Sequence, residues 1–235
     1  MQPSRRRSDM SLDRRTFLIA AAAAGTCSFV PPALALSDQQ EMVEKSRISF
    51  EKLITSPDFS QLASYVKRAK AVMIFPSLFR AGVIIGGEGG SGLLMVRDAQ
   101  RGWSQPAFYT LASGSIGLQL GGQTSEAVFT IMSDKALNAV LDNQMKLGGN
   151  VSAAAGPVGQ GMGADTTTNF GSDVYSFAKT AGLYGGISFD GSGIMKKDDW
   201  NKAYYGQGAT PYAIVIQRKF QNPNTQALVS ALAPY

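Results

Sequence analysis

Apolar positions along this chain fall into two regimes. Between residues 37 and 68 they recur at helical spacing: Met42, Val43, Phe50, Leu53 and Ile54 make a broad stripe, with Glu44, Lys45, Arg47, Glu51 and Lys52 around it. This predicts a helix over 37–56, capped by Ser37 or Asp38, with Glu41 near the first turn where negative charge suits the helix dipole. A shorter helix is predicted over 58–68, with Asp58 near its start after Pro57. From Ala71 the period shortens. Val72-Met73-Ile74-Phe75 runs into Pro76, and further apolar runs at 81–85, 93–96, 106–111, 116–120 and 127–132 are separated by glycine clusters. Short strands at this spacing mark a meander, barrel or sandwich. Ser133-Asp134 opens a predicted helix that runs through Lys146 and is closed by Gly148-Gly149. Strands are predicted at 151–155 and 174–177 around a small-residue loop, 156–169, and 186–189 pairs with 193–195 about an Asp190-Gly191 turn. A helix over 198–205, a strand over 212–216 and a helix over 225–232 complete the reading. The fold class is α+β, a mainly antiparallel, barrel-like β body (69–235) with N-terminal helices (37–68) and a few short helices.

The first 35 residues follow another pattern. A basic stretch ends in Asp13-Arg14-Arg15-Thr16-Phe17-Leu18, an Ala-rich run follows to Gly25, Pro31-Pro32 break it, and Ala33-Leu34-Ala35 has the small-x-small form of a signal-peptidase site. The run is shorter than the roughly 20 apolar residues that span a bilayer. Arg-Arg-x-Phe-Leu resembles the bacterial twin-arginine signal, with Asp13 where Ser or Thr is usual. The reading is a signal peptide over 1–35, a single domain over 36–235, and an exported, periplasmic or envelope-associated product. The alternatives are an ordinary secretory signal and a lipoprotein anchored at Cys27, where Thr26 fits poorly before a lipidated cysteine. Five of the 22 basic residues lie in the leader, and from residue 36 onward bases exceed acids by only two, so nucleic acid is not an expected partner.

Composition narrows the chemistry. An apolar fraction of 44% against 17% charged residues excludes a disordered chain, and 26 glycines favour turn-rich β structure. The absence of histidine removes Ser-His-Asp catalysis and most zinc enzymes. Gly87-Glu88-Gly89-Gly90-Ser91-Gly92 satisfies G-x-G-x-x-G, but Leu93–Val96 after it reads as a strand rather than a phosphate-facing helix, so a glycine hairpin is expected. Ser176-Phe177-Ala178-Lys179 matches S-x-x-K, yet on a strand the two side chains take opposite faces. Asp198-Asp199 is expected to cap a helix, and Asp165, Asn169 and Asp173 lack EF-hand spacing. No catalytic residue, metal or cofactor is assigned.

Basic residues are more suggestive. Lys67, Arg68 and Lys70 cluster at the junction of helix and first strand, Arg80 follows Phe79, and Lys45, Arg47 and Lys52 come from the first helix. Cations beside apolar groups are what an anionic headgroup meets; a solvated helix face laced with Glu44 and Glu51 is the plainer alternative. The chain from Ala69 to Tyr205 resembles the SYLF domain family. The resemblance is carried by Ala69-Lys70-Ala71-Val72, Ile74-Phe75-Pro76, Ala81-Gly82, the glycine run 86–92, Gly121-Gly122-Gln123-Thr124, the run from Leu147 to Gly159, Tyr175-Ser176, Gly182–Ser188 and Tyr205-Gly206. It implies phospholipid binding without catalysis. In some eukaryotic members an amphipathic N-terminal segment meets the lipid, and 37–56 lies in a comparable place. The family's eukaryotic association with actin is not expected here, because no SH3 or FYVE module accompanies the domain and the leader is bacterial in type. The expected partner is therefore a phospholipid or anionic membrane surface, met by Lys45, Arg47, Lys52, Lys67, Arg68, Lys70, Phe75, Phe79 and Arg80. An envelope interaction or structural protein is the second reading, and a hydrolase using serine or carboxylates the third.

Overall fold

A computed structural model describes residues 37–82, 85–116, 121–156, 171–180, 183–184 and 189–235. The leader, Cys27 and most of the small-residue loop lie outside these residues.

Helix α1 (Asp38–Ile54) begins where Ser37 accepts a hydrogen bond from the Gln40 amide at 3.2 Å. A 3₁₀ turn (Pro57–Phe59) and helix α2 (Leu62–Arg68) replace the single helix expected over 58–68. Strand β1 (Ala71–Gly82) and strand β2 (Ile85–Asp98) follow, then β3 (Gly102–Trp103), β4 (Ala107–Ile116), β5 (Gly121–Ile131), helix α3 (Asp134–Leu141), β6 (Ala153–Ala155), β7 (Val174–Thr180), β8 (Leu183–Tyr184) and β9 (Gly193–Lys196). Helices α4 (Asp198–Tyr205), α5 (Pro211–Val215) and α6 (Gln226–Leu232) complete the chain, α6 after a 3₁₀ turn at Pro223–Thr225.

The sheet runs in the order β6-β7-β5-β1-β2-β4-β9, all antiparallel except β6 with β7; β3 pairs with β2 and β8 with β7. It curls into a half-barrel. Residues 145–151 connect its two edges: the Ile194 amide bonds the Met145 carbonyl, Lys146 bridges Gly193, and Leu147 bridges Val151 just ahead of β6. Inside the curl Met73, Phe75, Leu94, Tyr109, Phe129 and Ile194 pack with α3 and α5. On the outer face Val72, Ile74, Leu93, Phe108 and Val128 pack under Val43, Phe50 and Leu53 of α1, with α2 and α6 beside it. Alternation along each strand divides the two cores.

Several expectations are corrected. The glycine run is not a hairpin but the middle of β2, paired with β1 on one side and β4 on the other. Pro76 does not end β1. Its missing amide is accommodated at a bulge, where 75–78 on β1 span a shorter stretch of both neighbours. Gly90 and Gly92 face that bulge, and a Cβ at either would collide with β1. Helix α3 stops at Leu141 rather than Lys146, with Asn143 left-handed at φ 61°. The 212–216 run is helix, not strand: Thr210 accepts from the Ala213 amide at 3.2 Å and Pro211 opens the first turn. Strand β9 pairs with β4, while 186–188 of its expected partner, 186–189, lie outside the described residues. So do 117–120. Asp198 and Asp199 stand in the first turn of α4, and Lys197 holds the cap position without a side-chain bond to the helix.

Candidate membrane-binding face

Helix α1 turns Val43, Ser46, Phe50 and Leu53 into the core. At 3.6 residues per turn Lys45, Ile48 and Lys52 share an arc of about 60° on the opposite side. Ile48 is 54% exposed there. Lys45 pairs with Glu41 at 2.5 Å, and Lys52 reaches across to Glu126 of β5 at 2.9 Å. The Lys45–Glu41 pair is exposed and holds loosely, so a phosphate can exchange for that carboxylate at small cost. Arg47 lies on the flank, bonded to Glu51 and then Glu44, and these partners raise its pKa.

The remaining expected residues separate into two places. Lys67, Arg68 and Lys70 do cluster. Lys67 is exposed, Arg68 lies 4.7 Å from the Tyr65 ring centroid, and Lys70 pairs with Asp134 at 2.8 Å. Arg97, whose amide bonds the Lys70 carbonyl, and Lys135, 3.5 Å from Asp173, extend this corner. Phe79 and Arg80 stand ten residues along β1, about 30 Å away. They also point to opposite faces. Phe79 is 55% exposed on the α1 face, whereas Arg80 turns to the Leu78 face and pairs with buried Glu88 at 2.6 Å. Phe75 is corrected outright as a lipid contact: it is wholly buried, edge-on to Phe129 at 5.3 Å.

Sequence reasoning missed Ile48 and Met195. Met195 is 42% exposed on β9, opposite Thr110, and therefore on the face that α1 covers farther along the strands. Among the described residues, three of the four large exposed apolar side chains thus lie on the α1 face; Tyr212 of α5 is the fourth. Ile48 had a signal in the sequence, an apolar residue outside the stripe and between two lysines. Met195 had none, because the pairing of its strand with β4 leaves no mark in the local pattern.

No catalytic arrangement emerges from the motifs. Ser176 is buried and bonds the Ala154 carbonyl at 3.4 Å, while Lys179 leaves the opposite face of β7. Asp173 instead ties loops together. It accepts from Ser133 at 2.5 Å and from the Ser152 hydroxyl and amide at 2.8 and 3.0 Å. Desolvation pushes its pKa up, but these bonds and the charge of Lys135 outweigh it and set it at about 2. Among the described residues, no three acidic or sulfur side chains gather as a metal site, and no helix is long and apolar enough to cross a membrane.

A family profile described as Ysc84, Las17-binding protein actin regulator, matches residues 112–235. The chain belongs to the Ysc84 (SYLF) family. It is 31% identical to Protein YSC84 of Saccharomyces cerevisiae over 71% of this chain and 36% of that protein. It is 32% identical to SH3 domain-containing YSC84-like protein 1 of Xenopus laevis over 66% of this chain and 47% of that one. LAS seventeen-binding protein 3 of S. cerevisiae is 30% identical over 71% of this chain and 37% of its own length. The Ysc84 match therefore spans about a third to a half of these relatives.

Proposed function

We propose that this Ysc84-family chain is a non-catalytic phospholipid-binding protein that lies on an anionic membrane surface, exported to a bacterial envelope by its leader. The observation that carries the reading is Ile48, exposed between Lys45 and Lys52 on the face that also exposes Phe79 and Met195. Burying one such side chain is worth about 1.5–3 kcal/mol. Each lysine near a charged leaflet adds about 1 kcal/mol. The sum supports reversible, salt-sensitive attachment rather than insertion. Lys67 and Arg68 add long-range attraction from the far corner. Actin, which the family profile's description names, is not part of this reading, because the leader is of a bacterial export type.

Sedimentation with phosphatidylglycerol and phosphatidylcholine vesicles tests it. Ile48→Glu is expected to weaken binding to the anionic vesicles by about tenfold, and Lys45→Glu with Lys52→Glu to do the same while flattening the salt dependence. Failure of the unmodified protein to sediment with either vesicle would sink the proposal.

A further inference from the structure

Beyond the footprint of α1 the described sheet positions expose Phe79, Ala112 and Met195, and the register sets out a trough of small side chains between them. Ile74, Leu93 and Phe108 lie beneath the helix. The next positions outward on β2, β4 and β9 are Ser91, Thr110 and Met195, which stand opposite one another. The following row is Phe79, Gly89, Ala112 and Gly193. The floor is therefore small side chains, with Ala112 exposed, and an exposed apolar residue closes each end, Met195 on β9 and Phe79 on β1. Three interstrand steps separate those ends, about 14 Å. Neither row contains a charged residue.

The β9 end has a different chemistry. Lys197 reaches back over the face, donating to Ser91 Oγ at 2.9 Å, with its ammonium 3.3 Å from the Trp200 ring centroid. A shallow pocket opens there, lined by Lys196, Lys197, Asp198, Asp199 and Trp200. Asp38, at the start of α1, acts on Lys197 through its charge. Two lysines and two aspartates line this pocket, with the charge of Asp38 acting on it, a mixture that does not suit a purely anionic head. It suits a head that carries both signs.

We infer that this trough holds the acyl chain of a single phospholipid with a phosphate–amine head. The phosphate takes the place of Ser91 at Lys197, the amine meets Asp198 or Asp199, and the chain lies across Thr110, Ala112 and Gly89 toward Phe79. The inference rests on the membrane reading but deepens it, since one lipid is gripped while the rest of the face only rests on the leaflet. Its contacts are separable from those of Ile48.

The test uses the full chain and monomeric dodecyl lysophosphatidylethanolamine below its micelle concentration, with native mass spectrometry for stoichiometry and Trp200 emission for affinity. One lipid per chain is expected, bound about fivefold more tightly than dodecyl phosphate, which lacks the amine. Ala112→Phe fills the trough from an exposed position and should weaken binding about tenfold. Met195→Ser provides a second, milder variant, and thermal unfolding checks that both fold. Absence of monomer binding, or binding indifferent to both substitutions, overturns the trough. Equal affinity for dodecyl phosphate overturns the head assignment. Vesicle sedimentation of the unmodified chain and of Ile48→Glu distinguishes these failures from failure of the membrane reading: if vesicles still bind and Ile48 still matters, only the trough is lost.

Discussion

A methyl group at Gly92 would stand 2.5 Å from both the Ile74 carbonyl oxygen and the Phe75 ring. At Gly90 it would press on the Ser77 carbonyl still harder, whereas at Gly87 the nearest atom is 3.6 Å away. Overpacking against backbone costs about 1–3 kcal/mol. Gly90→Ala and Gly92→Ala should each lower the unfolding free energy by that amount, read as a lower urea midpoint at unchanged slope, with Gly87→Ala close to neutral. The glycine run in the sequence was legible as special, but not as strand, because the reason for it is a bulge on the neighbouring chain segment. Asp173 gives a residue-scale pH prediction. Its folded pKa of about 2 lies below the unfolded value of about 3.9. Its stabilisation is complete above about pH 4 and is lost as pH falls through about 2. Solvent screening reduces the contribution to about 1–2 kcal/mol. Asp173→Asn should lower the melting temperature at pH 6 and flatten its fall between pH 4 and 2.

At the scale of elements, helices were readable wherever a cap coincided with an apolar stripe. Helix α1 starts at Ser37 and α3 at Ser133, as the sequence indicates, because a hydroxyl one residue ahead satisfies a free amide of the first turn. The 212–216 run misled because five apolar residues carry no decisive period, and the Thr210-Pro211 cap outweighs their β propensity. Helix α4 is held by a contact that no pattern shows. Buried Asn201 accepts from the Phe108 amide at 2.8 Å and donates to the Phe108 carbonyl at 3.2 Å, as a neighbouring strand would. Removing the Asn201 side chain leaves the buried Phe108 amide unpaired, while its carbonyl keeps the Lys197 amide. Asn201→Ala should therefore cost about 1–3 kcal/mol in chemical unfolding. Ile48→Ser belongs to the opposite class. Its side chain is exposed, so stability should change by no more than about 0.5 kcal/mol while vesicle binding falls.

For the molecule as a whole, closure of the half-barrel depends on the short link 143–151. Asn150 organises it, accepting from the Lys146 amide at 2.8 Å and donating to the Gln144 carbonyl. Asn150→Ala should speed hydrogen exchange at the amides of Leu147 and Ile194 before it affects β1 or β2, since local opening needs less free energy than global unfolding. The same scale decides the candidate site. Nine residues were assigned from the sequence as one lipid-contacting set, yet Phe75 is core, Arg80 faces away from Phe79, and Lys67, Arg68 and Lys70 stand at the far end of β1. Adjacency along a strand puts neighbours on opposite faces, and ten residues of strand carry a cluster across the domain.

The sequence alone determined the local quantities: the starts of α1, α3 and α4, the β-rich body, the absence of histidine chemistry and the residues by which the Ysc84 family is recognised. These depend on propensity, capping and short-range pattern, which a linear chain displays directly. Tertiary structure alone decided that the glycine run is a central strand, that β9 borders β4, and that Ile48, Phe79 and Met195 share a face. Each of those depends on a partner distant in the chain, and only strand pairing and helix packing bring that partner near.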